Sequence, residues 1–102
     1  MADSDQVAAI KARYRQSLSE KAETVLGWRA KIQAGVLQTN ERSELAEWLH
    51  RLAGSSGMYG YTEIAKLTRH LMHLAEGSNA ASSFTDEMKQ LADLLKQQAA
   101  ND

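Results

Sequence analysis

The chain repeats apolar residues at intervals of three and four positions in four separate segments, and it contains no proline. Such intervals bring side chains to one face of an α-helix, whereas strict alternation would indicate a half-buried strand. Proline would interrupt a helical face, and the residue types that dominate the chain (Ala, Leu, Glu, Gln, Lys and Arg) favour helix. These features predict an all-α fold.

We predict four helices, with boundaries set by capping residues and glycines. The first is long and runs from about Ser4 to Gln33, where Gly35 is a plausible stop. The second runs from the capping residue Asn40 to about Tyr59. The third covers 62–76, residues 77–83 form a loop, and the fourth begins at residue 85 and frays in the tail 97–102. Short connections between amphipathic helices predict an antiparallel up-down four-helix bundle.

The apolar positions of the four helices are the predicted core, because a helix of a globular protein buries its apolar stripe. They are Val7, Ile10, Tyr14, Leu18, Ala22, Val25, Trp28 and Ile32; Leu45, Leu49, Leu52 and Ser56, with Trp48 at the margin; Ile64, Leu67, Leu71 and Leu74; and Met88, Leu91, Ala92 and Leu95.

Composition narrows the class of protein. The 102 residues suit one domain (1–102), and a net charge of −1 disfavours nucleic-acid binding. The chain has no cysteine, so it has neither disulfides nor thiolate chemistry. No apolar run approaches the roughly 18 residues of a membrane span, and the start, MADSDQ, does not resemble a signal peptide. We therefore expect a cytoplasmic, free-standing monomer.

One histidine lies on the outer face of the second helix. At about 100° per residue, His50 lies about 140° from Leu45, well away from the apolar stripe. Its helical neighbours are almost all small. They are Ala46, Glu47, Ala53, Gly54 and Gly57. Because glycine inside a helix costs about 0.5–1 kcal/mol relative to alanine, Gly54 suggests that another molecule approaches the backbone there.

The stretch HRLAGSSGMYG (50–60) resembles the signature of histidine-containing phosphotransfer (HPt) domains. The matching residues are His50, Leu52, Gly54, Ser55, Ser56, Tyr59 and Gly60. The resemblance implies a four-helix bundle with the phosphoacceptor His50 exposed midway along the second helix. It also implies a phosphorelay function: His50 carries a phosphoryl group between aspartates of receiver domains, which belong to response regulators or hybrid sensor kinases.

The sequence departs from the family at one position. Ala53 stands where the family usually has a lysine that helps to hold the phosphoryl group. Positive charge is expected near a phosphoryl group. Arg51 is adjacent, although it points about 100° away from His50. On the third helix, Lys66 and Arg69 lie on the polar face, and Arg69 is our first choice as the substitute.

The remaining chemistry is expected to come from the partner. The chain shows no carboxylate cluster suited to Mg²⁺ and no glycine-rich ATP loop, so we expect a phosphocarrier without kinase activity or cofactor, whose partner supplies Mg²⁺. Glu47, one turn before His50, is a candidate to fix the imidazole tautomer by a hydrogen bond.

Two alternatives remain. A metal-binding bundle would use the Glu47-x-x-His50 pair, or His70, His73 and Glu76, but the companion ligands are missing. An HPt-like interaction module would bind a kinase or receiver without carrying phosphate, and Ala53 keeps this alternative open.

Overall fold

The four predicted helices are present in the computed structural model, which describes residues 2–76 and 81–101. They are α1 (Ala2–Ala34), α2 (Thr39–Met58), α3 (Thr62–Glu76) and α4 (Ala81–Ala100). The described residues contain no strand, which confirms the all-α prediction. None of the helices in these two ranges is both long and apolar enough to cross a bilayer.

Two glycines end helices in the left-handed region. Gly35 has φ 72°, and Gly60 has φ 88°. After α1, the amide of Gly35 donates to Ile32 O at 3.1 Å and that of Val36 donates to Lys31 O at 3.0 Å. This pair of bonds is a Schellman motif, in which glycine avoids the steric penalty of a side chain. The predicted stop at Gly35 is confirmed.

The start of α2 differs from the prediction. The cap is Gln38 and not Asn40, which lies inside the helix. The backbone amide of Gln38 donates to the Glu41 carboxylate at 3.0 Å, and the Gln38 side chain accepts from the third helical residue. This capping box satisfies two amides that the helix itself leaves free, so it decides where α2 begins.

The ends of α4 also differ. The predicted loop 77–83 is wrong over 81–83, which are helical, and 77–80 lie outside the described residues. The predicted fraying is wrong over 97–100, because the helix continues to Ala100 and the amide of Asn101 donates to Gln97 O at 3.2 Å. Residues 97–100 are Gln-Gln-Ala-Ala, which extend a helix readily.

The helices alternate in direction around one core. α1 packs along α4, α2 along α3, and α3 along α4. Side-chain contacts join neighbouring helices of the bundle. The Arg29 guanidinium donates to Thr85 O at 2.8 Å, and His70 Nε2 lies 3.0 Å from the Glu87 carboxylate. The up-down bundle follows from the short turns.

The core agrees with the predicted stripes except at the start of α1. Val7 and Ile10 are 50% and 44% exposed, so their prediction as core is wrong. A helix of 33 residues is about 50 Å long, whereas one of 20 residues is about 30 Å long. Because Tyr14 already lies beside Tyr59 at the end of α2, the first turns of α1 project past the bundle.

Candidate functional site

His50 stands on the solvent face of α2. It is exposed, whereas Leu45, Leu49 and Leu52 of the same helix are buried, so the predicted outward direction is confirmed. Within the described residues, no side chain forms a hydrogen bond or ion pair with the imidazole. Glu47 is also exposed and does not bond to His50, so the structure does not show the expected tautomer contact.

Gly54 keeps the helix surface low one turn after His50, and Gly57 follows His50 by about two turns. Both are exposed. A Cβ atom added at Gly54 would have no heavy atom within 4 Å beyond its own helix and chain neighbours. The fold of the described chain therefore gives no steric reason for glycine at this position, although glycine lowers helix stability. Ala46, one turn before His50, is exposed as well.

Ala53 does not belong to this open surface. It is only 6% exposed, because α3 packs against that side of α2. Helical spacing makes Ala53 one of the small neighbours of His50, and the prediction that such neighbours give a partner access is wrong at this residue. A residue three positions after His50 lies about 60° round the helix, which is enough to reach the α2–α3 contact.

Contacts within the fold account for other matching residues of the 50–60 stretch. The buried hydroxyl of Ser56 donates to Leu52 O at 2.6 Å. The Ser55 hydroxyl lies 2.7 Å from the Tyr14 hydroxyl of α1. Gly60 allows the turn into α3, in which the amide of Tyr61 donates to Ser56 O at 2.8 Å.

A cluster of tyrosines behind α2 was not singled out from the sequence. The Tyr14 ring stacks on Tyr59 at 4.4 Å and on Tyr61 at 5.8 Å, measured between centroids. Lys21 Nζ lies 4.9 Å from the Tyr14 centroid. Burial raises the pKa of Tyr14 and lowers that of Lys21, since burial disfavours each charged form. Tyr14 appears in the sequence only as one member of an apolar stripe.

The candidate cations occupy different surroundings. Arg51, Lys66 and Arg69 are exposed and have no hydrogen-bond or ion-pair partner in the described part of the chain. Arg69 lies across the α2–α3 contact, where its Nη2 would be 3.7 Å from a Cβ added at Gly57. His70 points to the opposite side, toward Glu87 of α4.

The described residues contain no group of three or more His, Asp or Glu side chains that could hold a metal ion. His70, one of the histidines considered for a metal, contacts Glu87 instead.

A family model described as the Hpt domain matches residues 10–101, which is most of the chain. This chain belongs to the Hpt domain family. Comparisons with curated proteins and with solved structures find no match. The matched region includes the whole 50–60 stretch and all of α2, α3 and α4, and it begins within the projecting part of α1.

Membership of the Hpt domain family gives this chain a phosphotransfer role in two-component signalling. Hpt domains are phosphocarriers rather than kinases, and they interact with receiver domains or kinases of phosphorelays. The exposed imidazole of His50 and the open surface at Gly54 are features that such a carrier requires, because an in-line transfer needs access to the nitrogen.

Proposed function

We propose that this Hpt domain carries a phosphoryl group on His50 and passes it between aspartates of receiver domains. The observation that supports this most strongly is the exposed His50 imidazole beside Gly54, where an added Cβ would meet open space. The family supplies the class of reaction, and this surface supplies room for a second active site to reach the ring.

The transfer is a balanced displacement at phosphorus. A neutral imidazole nitrogen attacks the phosphorus of a receiver aspartyl phosphate, the N–P bond forms, and the P–O bond to the aspartate breaks. The aspartate leaves as a carboxylate with the bonding electron pair. A carboxylate of the next receiver reverses these steps. In our proposal the receiver brings Mg²⁺ to neutralise the phosphoryl oxygens, and the carrier works as a cytoplasmic monomer.

Neighbouring residues have distinct proposed roles. Gly54 and Ala46 leave room for the receiver. Arg51, next to His50, supplies the positive charge that the family's lysine would give at the position of Ala53. Glu47 would orient the ring only after its side chain turns toward it. Lys66, on the outward side of α3, contributes long-range attraction for an acidic partner.

The test compares two histidine variants. Purified chain is incubated with a panel of receiver domains that carry radiolabelled aspartyl phosphate, and acid-labile label on the chain is followed. We expect His50→Gln to abolish labelling and still bind the receiver. His73→Gln is the matched control, because His73 is also exposed and lies on α3; it should accept label as the wild type does.

Label that persists on the His50→Gln chain would show that His50 is not the acceptor. A wild-type chain that binds a receiver but takes up no label would favour the alternative function, an interaction module without phosphate. The specific observation behind that alternative is Ala53, which is buried at the α2–α3 contact and leaves this position without a charge.

A further inference from the structure

Arg69 lies on the same side of α2 as His50 but not beside it. A Cβ added at Gly57 would be 3.7 Å from Arg69 Nη2 and 3.9 Å from the Ala65 Cβ, so these two residues flank Gly57. Gly57 follows His50 by seven residues, which corresponds to about 20° of rotation and about 10 Å along the helix. The guanidinium therefore sits about two turns away from the imidazole.

The directions of the side chains separate the two groups further. Side chains of a helix lean toward its N-terminus. Because α2 and α3 are antiparallel and joined by a short turn at Gly60, the His50 ring leans away from Gly57, whereas Arg69 leans toward the α2–α3 turn. Arg69 is poorly placed to hold a phosphoryl group on His50, contrary to the role that the sequence suggested.

The guanidinium is nevertheless within reach of a docked partner. A standard protein interface covers about 800 Å² on each side, which corresponds to a radius of about 16 Å. A footprint centred on His50 thus includes Arg69. The guanidinium is exposed and has no partner among the described residues, and a covered guanidinium without an acceptor would be costly.

We propose that Arg69 binds a carboxylate of the receiver domain and so determines which receivers dock, while the phosphoryl group itself is held by other residues. A guanidinium covered by a docked receiver needs an acceptor, and a carboxylate accepts two parallel hydrogen bonds from it. The Arg69 guanidinium lies beside Gly57 and is exposed, so its planar fork is accessible to a carboxylate of the partner. This inference rests on the proposed function, because it deepens the interaction of the His50 face.

The test separates docking from phosphoryl binding. Two phosphoryl donors are compared on the wild type, Arg69→Ala and Arg69→Lys. One donor is the receiver that labels His50, and the other is phosphoramidate, a small molecule that needs no docking surface. Lys89→Ala is the control, because it also removes an exposed positive charge but lies on α4.

We expect Arg69→Ala to raise the KM for the receiver about tenfold or more, in line with the loss of a charge-assisted bond. Arg69→Lys should recover part of this loss, since it keeps the charge without the fork. The rate of phosphorylation by phosphoramidate and the lifetime of the phosphohistidine should not change. The Lys89→Ala chain should behave as the wild type in both assays.

Two results would overturn the inference. If Arg69→Ala is phosphorylated more slowly by phosphoramidate, or if its phosphohistidine has a shorter lifetime, Arg69 lies at the phosphoryl group. An unchanged KM for the receiver would remove Arg69 from the interface. Neither result concerns the acceptor, which the His50→Gln experiment tests separately.

Discussion

The eleven-residue stretch 50–60 contributes residues to both the inner and the outer side of α2, and different interactions explain the residues on each side. On the inner side, Leu52 and Ser56 are buried, and the Ser55 hydroxyl contacts that of Tyr14. On the outer side, no contact with another described residue explains the identity of His50 or Gly54. A motif residue with a partner inside the chain is explained by the fold, whereas one without a partner must be explained by another molecule.

The strongest test of this difference compares the truncation of a core residue, Leu52, with the truncation of the proposed acceptor, His50. Leu52→Ala should lower the free energy of unfolding by about 2–5 kcal/mol, because it leaves a cavity between α2 and its neighbours. His50→Ala should change it by less than about 0.5 kcal/mol, as expected for an exposed side chain without a partner. Urea unfolding followed by circular dichroism measures both.

Equal losses in these two variants would mean that His50 supports the fold. A small loss for Leu52→Ala would mean that the inner side is less tightly packed than its burial indicates.

Glycine variants sharpen the comparison on the outer side. Gly54→Leu and Gly27→Leu should each raise the free energy of unfolding by about 0.5–1 kcal/mol, since an added Cβ meets nothing within 4 Å at either position and leucine favours helix. Only Gly54→Leu should block receiver binding, with at least about a tenfold loss of affinity, because its side chain fills the approach to His50. Binding is measured by titration calorimetry, and normal binding by Gly54→Leu would refute the access argument.

The sequence predicted the direction of side chains within α2 better than it predicted the contacts between helices. The direction of His50 followed from helical periodicity alone, since it depends only on residues in its own helix. The contact between Ser55 and Tyr14 joins residues 41 positions apart, and no local pattern specifies it. Arg69 was placed on the correct face of α3, but its register relative to His50 depends on how the turn at Gly60 closes.

The exposure of Val7 and Ile10 was missed for a similar reason. Periodicity tells which side of α1 is apolar, but it does not tell how far the neighbouring helices extend along it. A stripe that runs beyond the bundle looks the same in sequence as a stripe that is buried.

Tyr14→Phe tests the inner side without making a cavity. It should cost about 0.5–1.5 kcal/mol at neutral pH through loss of the hydroxyl contact with Ser55. The folded protein raises the pKa of Tyr14, so its contribution to stability is present below the ordinary tyrosine pKa and is lost as the pH rises through the folded value. The difference between wild type and variant should therefore shrink above about pH 10 in urea titrations. A difference that does not depend on pH would show that the hydroxyl does not titrate in contact with Ser55.

Glu41→Gln is expected to have the smallest effect, and it completes the comparison with a charged residue that does have partners. The Glu41 carboxylate accepts from Lys31 and from the Gln38 amide, which lower its pKa, whereas Arg69 has no such partner in the described chain. Because its folded pKa is lowered, Glu41 contributes stability above its unfolded pKa and loses it as the pH falls through the folded value. The variant should therefore unfold at slightly lower urea than the wild type at pH 7, and this difference should shrink as the pH falls below the ordinary glutamate pKa, with receiver binding unchanged. Weaker receiver binding by Glu41→Gln would mean that a carboxylate with partners inside the chain also contributes to the receiver interface. The presence or absence of a partner inside the fold would then not distinguish the structural residues of α2 from the functional ones.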